Sequence, residues 1–295
     1  MDWERGEIAE KLILQRTSEG SMRLGISTYS YWHFKGPKLP LKEYVEMAWR
    51  DGFDGVEVLV NHVESRSRSY LRSVRRLTLE YGMPIYALAI HNNFVKPDPT
   101  EREAQVRYVL EWLETAYELG ASIVRINSGR WGTVKSFDEL MARKGVEPPI
   151  EGYSEEDAVG WVVDCIYRCL DKAEELGVTL GLENHWGLTT RAETMMKILR
   201  RVHSRYFGAI MDTGNFVYDT YSELEAIAPF TVMVHAKTYF GGGEWYTLDI
   251  DYERVFRILK NAGFKGWVSL EYEGKEDYAT GVRKSRELLL KYVKF

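Results

Sequence analysis

The feature that most limits how this chain can fold is a hydrophobic period that keeps switching between two values along its length. Eight runs rich in apolar and β-branched residues fall at 23–28, 53–60, 84–91, 122–128, 178–184, 207–213, 232–237 and 267–272. They are apolar almost throughout, the pattern of strands buried on both faces. Between them lie helical segments at 41–50, 66–81, 101–119, 154–176, 191–203, 221–228, 252–261 and 275–292, whose apolar residues recur every three or four positions. Each therefore has one buried stripe. Four junctions repeat one form: Arg50-Asp-Gly52, Glu118-Leu-Gly120, Glu175-Leu-Gly177 and Asn261-Ala-Gly263. A glycine just after a helix caps it in the left-handed region, and a strand follows at once. Eight β–α units punctuated this way predict an α/β fold, a closed (β/α)8 TIM barrel forming a single domain over residues 22–295. An open doubly wound sheet is the alternative; it would show a glycine-rich turn after its first strand, and Ser27 to Trp32 contains no glycine.

Residues 1–21 form an N-terminal extension in which Ile8, Ala9, Leu12 and Ile13 predict a short amphipathic helix. This segment mixes both signs of charge and has no signal-peptide core, and no apolar run approaches the ~18 residues needed to cross a bilayer. With 39 Lys and Arg against 44 Asp and Glu, the net charge of −5 argues against a nucleic-acid partner. Cys165 and Cys169 are four apart on one helical face, a poor disulfide geometry, and read as small core residues in a reducing compartment. The expectation is a cytoplasmic protein with neither a membrane nor a nucleic-acid partner. The connection 129–153 is long, and long βα loops are usually functional lids or disordered inserts.

A parallel barrel gathers its chemistry at the C-terminal ends of its strands. Four consecutive runs end alike: the fifth at Glu183, the sixth at Asp212, the seventh at His235, the eighth at Glu271. Three carboxylates and an imidazole converging at one mouth repel unless a cation joins them. Oxygen donors with one nitrogen suit a single divalent ion, with Mn²⁺ first and Mg²⁺, Co²⁺ or Zn²⁺ as alternatives.

With Asp54-Gly-Val-Glu57, Leu182-Glu-Asn184, Met211-Asp-Thr-Gly214 and Val234-His-Ala-Lys237, this quartet resembles the single-metal site of the xylose isomerase-like TIM barrels. That superfamily holds sugar phosphate isomerases and epimerases, ketose 3-epimerases, inosose dehydratases and the endonuclease IV type of DNA repair enzyme. The resemblance implies that Glu183, Asp212, His235 and Glu271 bind the metal, and that Glu183 and Glu271 are also catalytic, exchanging protons with substrate carbon. Two carboxylates flanking a carbon next to a metal-chelated carbonyl can take and return a proton through an enediolate. Two departures stand out. Asn215 occupies a position where many members have His, and Gly241 one where the ketose epimerases have Arg. The three-metal set of endonuclease IV is absent.

Substrate contacts are expected from Glu57 and His91 at the ends of strands two and three. Asn127 is preferred to Arg125 on strand four; His185, Asn215 and Lys237 complete the polar set. Lys237 has two uses, neutralising a developing oxyanion or pairing with Glu271 or Glu183. Aromatics crowd the same rim: Tyr29, Tyr31, Trp32, Phe34, Trp131, Trp186, Phe216, Tyr218, Tyr239, Phe240 and Trp245. Trp32 and Trp186 are the expected stacking partners for a sugar ring; packing or a homo-oligomer contact is the other use of such residues. His33 and His62 are expected on the surface. Gly241 to Gly243 reads as a turn, with a phosphate cradle as the alternative. The function expected is a metal-dependent sugar or polyol isomerase or epimerase. The alternatives are a lyase on the same scaffold, dehydrating an inosose or cleaving a keto-sugar C-glycoside, and a non-catalytic sugar-binding subunit.

Overall fold

The computed structural model describes residues 22–244 and 246–293; the expected N-terminal helix and Trp245 lie outside them. Eight parallel strands close into one barrel in sequence order: β1 (Arg23–Ser27), β2 (Val56–Leu59), β3 (Ile85–Ala89), β4 (Ile123–Ile126), β5 (Thr179–Glu183), β6 (Phe207–Asp212), β7 (Thr231–Thr238) and β8 (Trp267–Tyr272). Helices α1 (Leu41–Arg50), α2 (Arg68–Tyr81), α3 (Pro99–Leu119), α5 (Glu155–Leu176), α6 (Ala192–Leu199), α7 (Thr220–Ile227), α8 (Tyr252–Asn261) and α9 (Tyr278–Val293) surround it, with the short α4 (Phe137–Ala142) inside the long connection after β4. Among the described residues no helix is long and apolar enough to cross a membrane.

Local chemistry sets the boundaries. Ser154 and Asp157 form a reciprocal capping box that starts α5. Gly52, Gly120, Gly177 and Gly263 all take positive φ, between 67° and 86°, and stop their helices where the sequence predicts. The stripe of α5 brings Val162, Cys165, Ile166, Cys169 and Leu170 against the sheet, so both cysteines are buried and free, as expected. The main core lies between the sheet and the helices. A fully buried Leu or Val there is worth roughly 1.5–3 kcal/mol.

Inside the barrel a second, smaller apolar cluster holds Tyr86, Ile123, Ile210 and Met233, with Trp267 packed against it. Close-lying glycines admit these side chains: a Cβ on Gly25 would stand 2.3 Å from Tyr86 Cε1, and one on Gly181 2.6 Å from Ile210 Cγ1. Two residues further along β4, β6, β7 and β8, the same inward face carries Arg125, Asp212, His235 and Ser269. Lys237 and Glu271 follow after two more. The interior thus changes from apolar to ionic along the barrel axis, towards the C-terminal mouth.

Candidate metal centre

Each member of the quartet comes from a different strand, and β5 to β8 are hydrogen-bonded neighbours, with Glu183 beside Ile210, Asp212 beside His235 and Lys237 beside Glu271. Glu183, Asp212, His235 and Glu271 are all buried, and each offers one ligand atom within 4.8 Å of every other. His235 Nδ1 lies 2.7 Å from Glu183 Oε1 and 3.6 Å from Glu271 Oε1. Asp212 is fixed at both ends: Asn184 grips its backbone, accepting from Asp212 N at 2.7 Å and donating to its carbonyl at 2.9 Å, and Oδ1 accepts from Gly214 N at 2.7 Å. Its Oδ2 is buried with no hydrogen-bond partner among the described residues. A buried carboxylate oxygen that accepts no hydrogen bond and meets only the Lys237 ammonium, 3.3 Å away, is under-satisfied, and this one belongs to a set of donors suited to a hard or borderline divalent ion. The residues present therefore fit a metal.

The electrostatics are those of an anionic pocket held by fixed cations. Burial alone would lower the His235 pKa, but Glu271, Glu57 and Glu183 hold it well above the ordinary imidazole value. Burial, with Glu183 and Glu271 close by, pushes the Asp212 carboxyl up. Lys237 Nζ stands 3.0 Å from Glu271 Oε2, 2.7 Å from Glu273 Oε1 and 3.3 Å from Asp212 Oδ2. Of its two expected pairings only the one with Glu271 is made, and Glu273 and Asp212 add two more. Arg125 is more central than the sequence suggests: it is buried, its Nε is 3.5 Å from Glu183 Oε2, and Nη1 donates to the Ile90 carbonyl and to Asn127 Oδ1. Asn127 in turn donates to Glu183 Oε2 at 3.4 Å. The signal available for Arg125 was its inward register, two residues before Asn127.

The remaining candidates divide. His185 lies at the mouth with Nε2 3.9 Å from Glu183 Oε2, its pKa lowered to about 4 by burial first. Trp186 lies tilted against it, 4.1 Å between ring centroids, and meets Phe137 of α4. His91 is exposed at the mouth, its ring 6.2 Å from that of Phe34. Trp32 is half-buried and donates to the Gly36 carbonyl. Asn215 donates to the Asn184 carbonyl at 2.9 Å and keeps a buried Oδ1 without a partner among the described residues.

Other residues sit differently from their sequence expectations. Glu57 is fully buried and bound on both oxygens, to His235 Nε2 at 2.9 Å and the Ser269 hydroxyl at 2.7 Å. The apolar run around it extends three residues ahead of β2, which starts at Val56, so Glu57 sits low in the barrel. His62 is buried rather than exposed, because a 3-10 turn (Val60–His62) folds it onto Tyr44. His33 is half-buried, with φ of 51°. Among the rim aromatics, Tyr31, Trp131 and Phe216 belong to the helix-facing core. Gly241 to Gly243 forms a held turn: Lys275 N donates to the Gly242 carbonyl, and Gly243 bridges Gly274. Across the mouth, Lys35 of the loop after β1 pairs with Glu244 of the loop after β7 at 2.7 Å.

Comparison with known proteins agrees with this architecture. No curated protein sequence matches the chain. Among solved structures, D-psicose 3-epimerase with D-tagatose from Clostridium cellulolyticum H10 superimposes with a TM-score of 0.75 at 15% identity, covering 93% of this chain and 100% of that one. L-ribulose 3-epimerase gives 0.73 at 15% identity, over 92% and 95% of the two chains. The IOLI protein with a binding zinc atom gives 0.70 at 19% identity, over 92% and 98%. At these identities the likeness is one of fold. Residues 45–292 match the sequence profile described as xylose isomerase-like TIM barrel. The chain belongs to the xylose isomerase-like TIM barrel family.

Proposed function

We propose that this protein is a divalent-metal-dependent isomerase or epimerase of a sugar or polyol. The observation that carries the proposal is the quartet itself: four buried ligands from four adjacent strands, with ligand atoms within 4.8 Å of one another, at the open end of the barrel. Glu183, Asp212, His235 and Glu271 would hold the ion, with Mn²⁺ the expected occupant. When bound, the ion would polarise a substrate carbonyl.

The protein's own groups do the rest. Glu183 and Glu271 reach the site from β5 and β8, with β6 and β7 between them, so a substrate seated there meets a carboxylate on either side. One takes a proton from the carbon beside the carbonyl and the other returns one. Arg125 and Asn127 fix Glu183, and Lys237 fixes Glu271. The free Oδ1 of Asn215 would accept a substrate hydroxyl, and His91 and His185 stand at the entrance to bind others. Trp32 and Trp186, both half-buried at the rim, offer faces for sugar C–H groups. The epimerases named among the structural neighbours support a small carbohydrate as substrate.

The test is exchange of substrate C–H hydrogen with solvent deuterium across a panel of ketoses and inososes, using Mn²⁺-loaded protein, with products resolved by mass. Exchange with a product of equal mass is expected; loss of water or an aglycone identifies a lyase. Glu271→Gln should slow exchange by about 10²–10⁴-fold. Absence of exchange with every substrate, from folded and metal-loaded protein, refutes the proposal.

A further inference from the structure

Glu57 engages both carboxylate oxygens with protein partners, and a buried carboxylate in a barrel interior is an expensive residue to keep, since an apolar side chain of similar size would fill the place at lower cost. Its surroundings are a directed chain of hydrogen bonds. The Tyr86 hydroxyl donates to Ser269 Oγ at 2.7 Å, and Ser269 spends its one proton on Glu57 Oε2, also at 2.7 Å. Glu57 Oε1 then stands 2.9 Å from His235 Nε2. All four groups are buried.

The far end of the chain is anchored. The Tyr86 ring stacks on Trp267 with centroids 4.1 Å apart and planes 9° from parallel. The missing side chain of Gly25 makes room for that ring. The near end is the only imidazole of the quartet. Carboxylates are acceptors alone and both ring nitrogens face one, so without a cation Nδ1 and Nε2 each carry a hydrogen. A cation entering beside Glu183 and Glu271 would displace the hydrogen on Nδ1, the nitrogen that faces them, while Glu57 on the far side keeps the one on Nε2.

We infer that Glu57 is a positioning residue: with Ser269 and Tyr86 behind it, it fixes His235 in the Nε2–H form and aims Nδ1 at the metal place. The inference rests on the proposed metal centre and adds a requirement to it. A carboxylate behind a ligating histidine fixes the ring and raises its basicity, and losing such a partner costs about 10- to 100-fold in metal affinity.

The test is Mn²⁺ binding by calorimetry to chelator-stripped, full-length protein, comparing wild type with Glu57→Gln and Ser269→Ala. Glu57→Gln keeps the shape but removes the charge, and should weaken Mn²⁺ binding by about 10- to 100-fold. Ser269→Ala leaves Glu57 in place with one partner fewer, and should weaken binding by a smaller factor. It also serves as the informative variant if Glu57→Gln does not fold. Nitrogen-15 spectra of the imidazoles in Zn²⁺-loaded wild type should show His235 protonated at Nε2. Unchanged Mn²⁺ affinity in whichever variants fold, or a His235 protonated at Nδ1 in the loaded protein, overturns the inference while the metal centre stands. A wild type that binds no stoichiometric ion overturns both.

Discussion

His62 should make the stability of this barrel fall as the pH drops below about 6.5, and the variant His62→Gln isolates the effect. The ring is 1% exposed. Nδ1 bonds to Thr28 Oγ1 at 2.8 Å, Tyr44 stacks on one side at 4.3 Å, and Trp32 meets it edge-on at 5.0 Å. Nε2 is buried without a partner among the described residues. Burial first, and the Lys38 charge second, lower its pKa from 6.5 to about 4. Between those values the unfolded chain binds a proton that the folded chain refuses. The contribution of neutral His62 is therefore complete above the unfolded value and is lost progressively as the pH falls towards the folded one. Going down from 6.5 to 5 removes about 2 kcal/mol. Glutamine carries no titrating group but sacrifices the stacking, so at about pH 7.5 the variant should be less stable by about 1–2 kcal/mol. At about pH 5 that gap should close or reverse. Urea unfolding followed by tryptophan fluorescence, with a chelator present, measures both. Groups titrating elsewhere do so in both proteins and cancel in the difference. If the stability curves of wild type and variant run parallel between the two pH values, His62 is not held neutral by burial and the reasoning is wrong.

Lys237→Met strips the ammonium from Asp212, Glu271 and Glu273, and should cost about 3–5 kcal/mol in chelator, part of it recovered on adding Mn²⁺; equal stability of variant and wild type would show that the cluster needs no internal cation. Gly25→Ala drives a methyl into the Tyr86 ring and should lower stability by about 1–3 kcal/mol in thermal or urea unfolding, with the Tyr86–Ser269 hydrogen bond lost in a crystal structure. Cys165 and Cys169, whose thiols burial pushes up to about 12, should resist a chromogenic disulfide reagent until urea unfolds the chain; rapid labelling of the native protein would contradict their packing.

The barrel was legible wherever one local signal decided the outcome. β8 begins and ends where its apolar run does, and α1 and α8 stop ahead of their glycines. The quartet was legible for a related reason: each member stands within three residues of the end of its strand, and similar positions on parallel neighbours converge. Height within the barrel was not legible. Glu57 and Glu183 occupy similar places in similar runs, but Glu57 is the second residue of β2 and Glu183 the last of β5, so Glu57 lies deeper. The sorting of aromatics was hidden too. Phe216 and Phe34 both follow strands, yet one is fully buried and the other 55% exposed; Phe216 joins the main core, whose members are drawn from the whole length of the chain. His62 was misplaced for the same reason, since Tyr44, its stacking partner, belongs to another helix.

Mounting Glu183, Asp212, His235 and Glu271 on adjacent strands has a consequence for durability. The backbones that carry the four residues are set by the hydrogen-bonded ladder from β5 to β8, and their side chains converge to within 4.8 Å of one another. The cage is thus anchored in the barrel's own strands, braced by Asn184 and Gly214 one or two residues beyond them. Warming that frays the rim should leave an ion seated, and its release should coincide with collapse of the whole cylinder in a single event.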